Sequence, residues 1–458
     1  MPRCRLIPAR SARSPRLARF ARVSLPCFPR CLPGSPSNFR AFASWASALA
    51  LALALSLTAG SAQAQGITVA IGGALQDNNH AVWSRLVQLA GGRGACFSVF
   101  ATAAGDPDAS AAAISANLAR HGAKTVHVRV SPRIAGQDVA AEVRSERWLE
   151  AVRGCRGVFF SGGAQERLLS ALRPGGQDSP LLLAVRQVWQ RGGVVAGTSS
   201  GAAVLSAVAF RDAPDPLAVM KGRLREGQEW AQGFGFLPPQ VLVDQHFIRR
   251  GRIARLLPLM QAQGLVLGVG VEEDSAALFQ GDTVEALGRS GVLVADLTQA
   301  TRNAQLPGFN LAGATLHWLQ SGDRFHLEQR VVQPPPAALR AQLLQPLAPG
   351  YRGYHSGPIF ITELLAEGRL VQALAQLVDS DQREARGLAF AALPAADDPA
   401  PELGFEWRLW VDEGTRGWLT LQPTAVTVAG VRLDIVPVRV QRPLYVPLAP
   451  TGAGAAKP

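Results

Sequence analysis

Between Gly66 and about residue 275 one pattern recurs: a short β-branched or aromatic run, a loop, then an amphipathic stretch. The runs Ile67–Ile71, Cys96–Ala101, Thr125–Val130, Gly157–Phe160, Val194–Gly197, Gln240–Asp244 and Val266–Val271 read as strands. Helices are expected near 79–90, 108–121, 146–153, 165–172, 180–191, 201–208 and 252–261. Strand alternating with helix dictates an α/β fold, a mostly parallel sheet covered by helices on both faces. Ligands in such folds sit at the carboxyl ends of the strands, so the polar residues there carry the functional reading. The strand signal runs to about Val332, which bounds an α/β domain over 66–332. Pro334-Pro335-Pro336 opens a Pro-rich linker, 333–350. Beyond it a helical stretch near 361–378 and alternating runs near 405–411, 418–421, 425–429 and 431–440 predict a small β-rich C-terminal accessory domain, 351–458.

The chain of 458 residues has a formal net charge of +12, which by itself suggests a nucleic-acid partner. The distribution argues against one. Residues 1–64 hold nine Arg and neither Lys, Asp nor Glu, so without them the charge falls to about +3. No charged residue stands between Arg40 and Asp77, and within that gap Trp45–Ala59 is an Ala/Leu-rich run followed by Ser61-Ala62-Gln63-Ala64. A basic segment, an apolar core and a small-x-small site describe a signal peptide over 1–64 with a long basic n-region. The core falls short of the ~20 residues that a membrane span needs, so cleavage without a stable membrane anchor is expected. The mature protein is expected to be exported, to the periplasm or beyond the cell. Cys96 and Cys155 are the two cysteines after this leader, and either one disulfide or two buried thiols fits them. No Cys/His spacing suits a metal, and no cofactor is implied.

Gly197-Thr198-Ser199-Ser200-Gly201 follows an apolar strand and precedes small residues. That is the G-x-S-x-G pattern of a nucleophile elbow, in which a sharp strand-to-helix turn exposes the central serine. Ser199 is the candidate nucleophile, and the Ser200 N–H is placed for an oxyanion at a helix start. His246 is the histidine at a strand end, in Asp244-Gln245-His246-Phe247, and is the candidate base. Arg249, Arg250, Arg252 and Arg255 follow within ten residues of it and suggest an anionic substrate, since guanidinium grips carboxylates bidentately. Glu272-Glu273-Asp274 ends another apolar strand, and one of the three is expected to orient the histidine. Gly162-Gly163-Ala164-Gln165 follows the Gly157–Phe160 strand and offers a second oxyanion N–H at Gly163.

In order, these segments resemble the cyanophycinase family of serine peptidases, of the class I glutamine amidotransferase-like fold, over about 66–332. The motifs that carry the resemblance are Gly162–Gln165, the elbow at 197–202, Gly233-Phe234-Gly235-Phe236-Leu237-Pro238 leading into 244–247, the Arg series, and 268–276. The resemblance implies Ser199 as nucleophile, His246 as base and Glu273 as the acid. It places Gln165, Asp244, Gln245, Arg250, Arg252 and Arg255 at substrate-binding positions. It also implies cyanophycin as substrate, a poly-aspartate backbone bearing arginine, cut to β-aspartyl-arginine dipeptides through an acyl-enzyme. The family needs no cofactor and commonly forms homodimers. Two departures stand out: Ser200 in place of the usual Ala, and Ala164 in place of Asn or Asp. The second bears on specificity, so short isoaspartyl or aspartyl dipeptides are the alternative substrate. A non-catalytic polymer-binding protein is the alternative from another class.

Overall fold

The strands expected at the start of the chain form where their apolar runs lie. The computed structural model describes residues 66–334, 342–421 and 424–448, so the leader at 1–64 lies outside the described residues. The strands are β1 (Ile67–Ile71), β2 (Cys96–Phe100), β3 (Lys124–His127), β4 (Gly157–Phe160) and β5 (Val194–Thr198). They pair in parallel in the order β1-β5-β4-β2-β3. Their side chains alternate between two cores, as a period of two requires. Val69, Ile71, Phe97, Val99 and Phe159 pack with Trp83 and Ile114 from the helices His80–Leu89 and Pro107–Arg120. Ala70, Phe100, Val158, Phe160 and Val195 pack with Leu149, Leu168 and Val185 from Glu146–Arg153, Gln165–Leu172 and Pro180–Gln190. The helix starts obey local chemistry: Asp106 accepts from the Ala109 N–H just before Pro107, and Ser179 accepts from Leu182 just before Pro180. Cys96, the first residue of β2, and Cys155, just ahead of the neighbouring β4, form a disulfide.

The remaining strands divide between two sheets and one small hairpin. In chain order they begin with β6 (Val208–Phe210), β7 (Trp230–Gln232), β8 (Val241–Gln245) and β9 (Leu267–Val271). Next come β10 (Ser275–Gln280), β11 (Thr283–Gly288), β12 (Val292–Asp296), β13 (Leu311–Leu319), β14 (Arg324–His326) and β15 (Val331–Gln333). The tail supplies β16 (Gln342–Leu344), β17 (Ile359–Ile361), β18 (Glu384–Ala389), β19 (Leu403–Trp410), β20 (Arg416–Leu421) and β21 (Thr424–Arg439). β10, β11, β14 and β15 extend the parallel sheet antiparallel from β1. The parallel pair β8-β9 starts a second sheet, ordered β8-β9-β12-β13-β21-β19-β18-β17, with β20 and β16 beyond β21. β6 and β7 pair with each other.

The tail is thus β-rich, but its strands do not make a sheet of their own. β21 pairs with β13 and β19, so residues on both sides of the expected linker share one sheet. Of that linker, 335–341 lies outside the described residues, while Gln342–Leu344 is a strand. The runs near 425–429 and 431–440 are one strand that crosses Gly430 at φ +78°. The tail helix spans Arg369–Val378, shorter than expected. The helix expected over 201–208 is also short, Ser200–Ala203. It stops because the carbonyls of Val204, Leu205 and Ser206 accept from the N–H groups of Phe234, Phe236 and Gly235. The Gly-Phe-Gly-Phe motif therefore closes the helix that the elbow opens.

Candidate active site

The elbow forms as its glycines require. Ser199 sits at φ +52°, ψ −120°, a conformation costing roughly 1–3 kcal/mol for a residue with a side chain. A Cβ on Gly197 would stand 2.1 Å from the Gly201 carbonyl oxygen, and one on Gly201 would stand 2.3 Å from that of Phe160. Neither position admits alanine without moving backbone. The Ser199 N–H donates to the Ile71 carbonyl (2.9 Å), which ties the turn to β1.

His246 follows β8 and also has positive φ, +46°. Its Nε2 lies 2.8 Å from Ser199 Oγ and its Nδ1 lies 2.6 Å from Glu273 Oε1. Of the three acids after β9, the middle one therefore meets the imidazole. Glu272 accepts instead from the N–H groups of Ile248 and Arg249. Asp274 accepts from the Gln76 N–H (2.9 Å) and from Asn79 Nδ2 (2.8 Å). A serine hydroxyl against an imidazole held by a carboxylate has the parts for nucleophilic acyl transfer.

His246 is 8% exposed, and burial pushes its pKa below the ordinary imidazole value. The hydrogen bond that Glu273 accepts from the ring opposes this, and the charges of Arg250 and Arg252 lower it further. The neutral, proton-accepting form thus persists to lower pH than in a free histidine. Arg250→Gln removes one depressing charge. The acid limb of the kcat/KM profile then moves up in pH, towards the usual histidine range, which a pH–rate series on wild type and variant checks.

The glycine loop expected to assist lies against Ser199. A Cβ on Gly162 would come 3.1 Å from that of Ser199, and Gly163 (φ +142°) passes so close to Ala103 that no side chain fits. Among the described residues, the N–H groups of Gly163 and Ser200 donate to no other backbone group. The Ser200 hydroxyl donates to the Gly163 carbonyl and lies 2.9 Å from Gln165 Oε1, so the departure from Ala at this position links the two loops. Gln245 is buried, with Oε1 3.5 Å from Ser199 Oγ.

The Arg series divides. Arg250 is exposed. Arg255, 1% exposed, makes two bonds of 2.7 Å to the fully buried Asp244, donates to the Ala213 carbonyl and lies over the Phe210 ring. Arg252 donates to the Gln245 carbonyl (2.8 Å) and reaches Asp244 at 3.4 Å. Asp244, Arg252 and Arg255 therefore cannot take the substrate-binding positions expected of them. They form a buried ion cluster beneath Gln245 and His246. Burial would raise the Asp244 carboxyl, but Arg255 and Arg252 overrule it and hold the pKa below the ordinary value.

Sequence reasoning missed the Gly72-Gly73 loop after β1. The Gly72 carbonyl accepts from the His246 N–H (2.8 Å), and a Cβ on Gly73 (φ +103°) would stand 2.4 Å from His246 Nε2. A Gly-Gly pair at the carboxyl end of the first strand was the available signal. Arg249, the first of the Arg series, turns to protein acids: it contacts Glu273 Oε2 (3.6 Å) and Glu367 of the tail (3.1 Å).

Ala164 occupies the N-cap of the helix Gln165–Leu172 in extended conformation, with no side-chain bond to a helix N–H. Ala164→Asp supplies that acceptor. Thermal or denaturant unfolding should show a gain of about 1 kcal/mol.

A family model described as peptidase family S51 matches residues 68–287. A cyanophycinase of Synechococcus elongatus is 34% identical over 280 residues, covering 59% of this chain and 81% of that protein. One from Geminocystis herdmanii is 32% identical over 273 residues, covering 56% and 92%. The crystal structure of a peptidase from an acI-B1 actinobacterium superposes with a TM-score of 0.43 at 20% identity, covering 58% of this chain and 98% of that one.

Proposed function

This chain belongs to the S51 family of serine peptidases, that of the cyanophycinases, and from that premise we propose that it hydrolyses cyanophycin to β-aspartyl-arginine. The observation that carries the reading is the continuous line Ser199–His246–Glu273, at 2.8 and 2.6 Å, with the exposed Arg250 beside it. Ser199 Oγ attacks the carbonyl carbon of the scissile amide while His246 Nε2 takes its proton. Glu273 holds the Nδ1–H and stabilises the imidazolium that forms. The oxyanion develops towards the N–H groups of Ser200 and Gly163, each such donor contributing about 2.7–4 kcal/mol to the transition state. The imidazolium then protonates the leaving amine, the acyl-enzyme remains, and water activated by His246 releases it. Arg250 attracts the free carboxylates of the polymer.

We also propose that the protein works outside the cytoplasm. The leader composition and the Cys96–Cys155 disulfide support this, since disulfides persist in oxidising compartments.

The test is to incubate the protein from Gln65 onward with insoluble cyanophycin granules and identify the soluble products by mass. The expected product is β-aspartyl-arginine. Intact granules, with turnover confined to short isoaspartyl peptides, would overturn the polymer assignment.

A further inference from the structure

The turn after His246 has a second face, and the tail covers it. A Cβ on Gly251 (φ +57°) would stand 2.6 Å from the Leu365 carbonyl oxygen, so the tail segment 362–367 packs directly on the turn that carries the imidazole. Between the two lies a cavity of about 350 Å³. Leu365, Leu388 and Phe390 give it apolar walls, while Arg250 and Glu363 bring opposite charges into it. Both charged residues are exposed, and among the described residues neither side chain makes a hydrogen bond or ion pair. Asp215 also lines the cavity, but one of its carboxylate oxygens already caps the helix Pro216–Met220. Two opposite charges that share a cavity without meeting call for a ligand with an anion, a cation and an apolar stem between them.

We propose that this cavity is a subsite for an arginine residue with a free carboxylate. Arg250 takes the carboxylate, Glu363 takes the guanidinium as a fork, and the aliphatic stem lies on Leu365, Leu388 and Phe390. The inference rests on the peptidase reading above and adds a residue to it from outside the family match, which ends at residue 287. Glu363 is then a specificity residue supplied by the tail.

The test uses titration calorimetry on protein carrying Ser199→Ala, so that nothing turns over, with β-aspartyl-arginine and β-aspartyl-leucine as probes. Adding Glu363→Gln should weaken β-aspartyl-arginine about ten-fold, the effect of one charge-assisted hydrogen bond, and leave β-aspartyl-leucine unchanged. Equal changes for both probes, no change for either, or no β-aspartyl-arginine binding up to about 10 mM would overturn the subsite. The two readings fail separately. A wild type that leaves granules intact but shows the Glu363-dependent preference loses the polymer and keeps the subsite. A wild type that digests granules while Glu363→Gln changes nothing does the reverse.

Discussion

Ser199→Ala should reduce kcat on a β-aspartyl substrate by on the order of 10⁶-fold, with KM changed little. In the proposed mechanism the hydroxyl oxygen bonds to the substrate carbon, and among the described residues the groups around it are no substitute: the Ser200 hydroxyl is turned to the Gly163 carbonyl and Gln165. Glu273 stands on the far nitrogen of the imidazole, and Gln245 Oε1 is an amide oxygen. The fold should be untouched, because among the described residues the Ser199 hydroxyl makes hydrogen bonds only to the imidazole and Gln245, and the backbone bonds of the turn stay in place. Residual turnover of roughly 10³-fold over water should survive from binding and the oxyanion N–H groups. Single-turnover kinetics with matched circular dichroism spectra would check both parts. Turnover within ten-fold of wild type would remove Ser199 from the chemistry.

Arg255→Met should cost about 3–5 kcal/mol of stability. The substitution keeps most of the stem over Phe210 but strips the fully buried Asp244 carboxylate of its two 2.7 Å partners. Arg252 remains at 3.4 Å and cannot replace a bidentate contact. The sign with pH follows from the depressed Asp244 pKa. The pair's contribution is fully present above the unfolded carboxylate pKa and is lost as pH falls through the lower folded value. Urea unfolding at neutral pH and at acid pH should show a deficit that shrinks on acidification. Arg255→Met together with Asp244→Leu should recover most of the loss, because the uncompensated charge is gone. An Arg255→Met protein of wild-type stability, impaired only in substrate binding, would return Arg255 to the substrate.

The sequence exposed some of this and hid the rest for physical reasons. Ser199 and His246 were legible because strained turns at strand ends demand glycines and leave polar residues at fixed places. The choice among Glu272, Glu273 and Asp274 was not legible from spacing, because it depends on which carboxylate the turn aims at the imidazole. The Arg series misled for a related reason. Three-residue spacing puts Arg252 and Arg255 on one helix face, but charge alone does not say that the face points inward onto Asp244. The parallel strands β1, β2, β4 and β5 appeared to within one residue, since each is a short run bounded by its own loop, while β3 stops at His127, three residues before the expected end. The second sheet did not, because β13 meets β21 across more than a hundred residues and no local pattern records that pairing.

That pairing also bears on how such a gene can change. A module hung on the end of a chain can be acquired, lost or exchanged in a single recombination event, and its host still folds. β21 lies between β13 and β19, with β9 and β8, the strand that leads into His246, further along the same sheet. A stop codon after residue 334 would bare β13 along its whole length as a sticky edge, a template for aggregation. Loss of the tail should therefore cost the catalytic half its fold and not merely an accessory function.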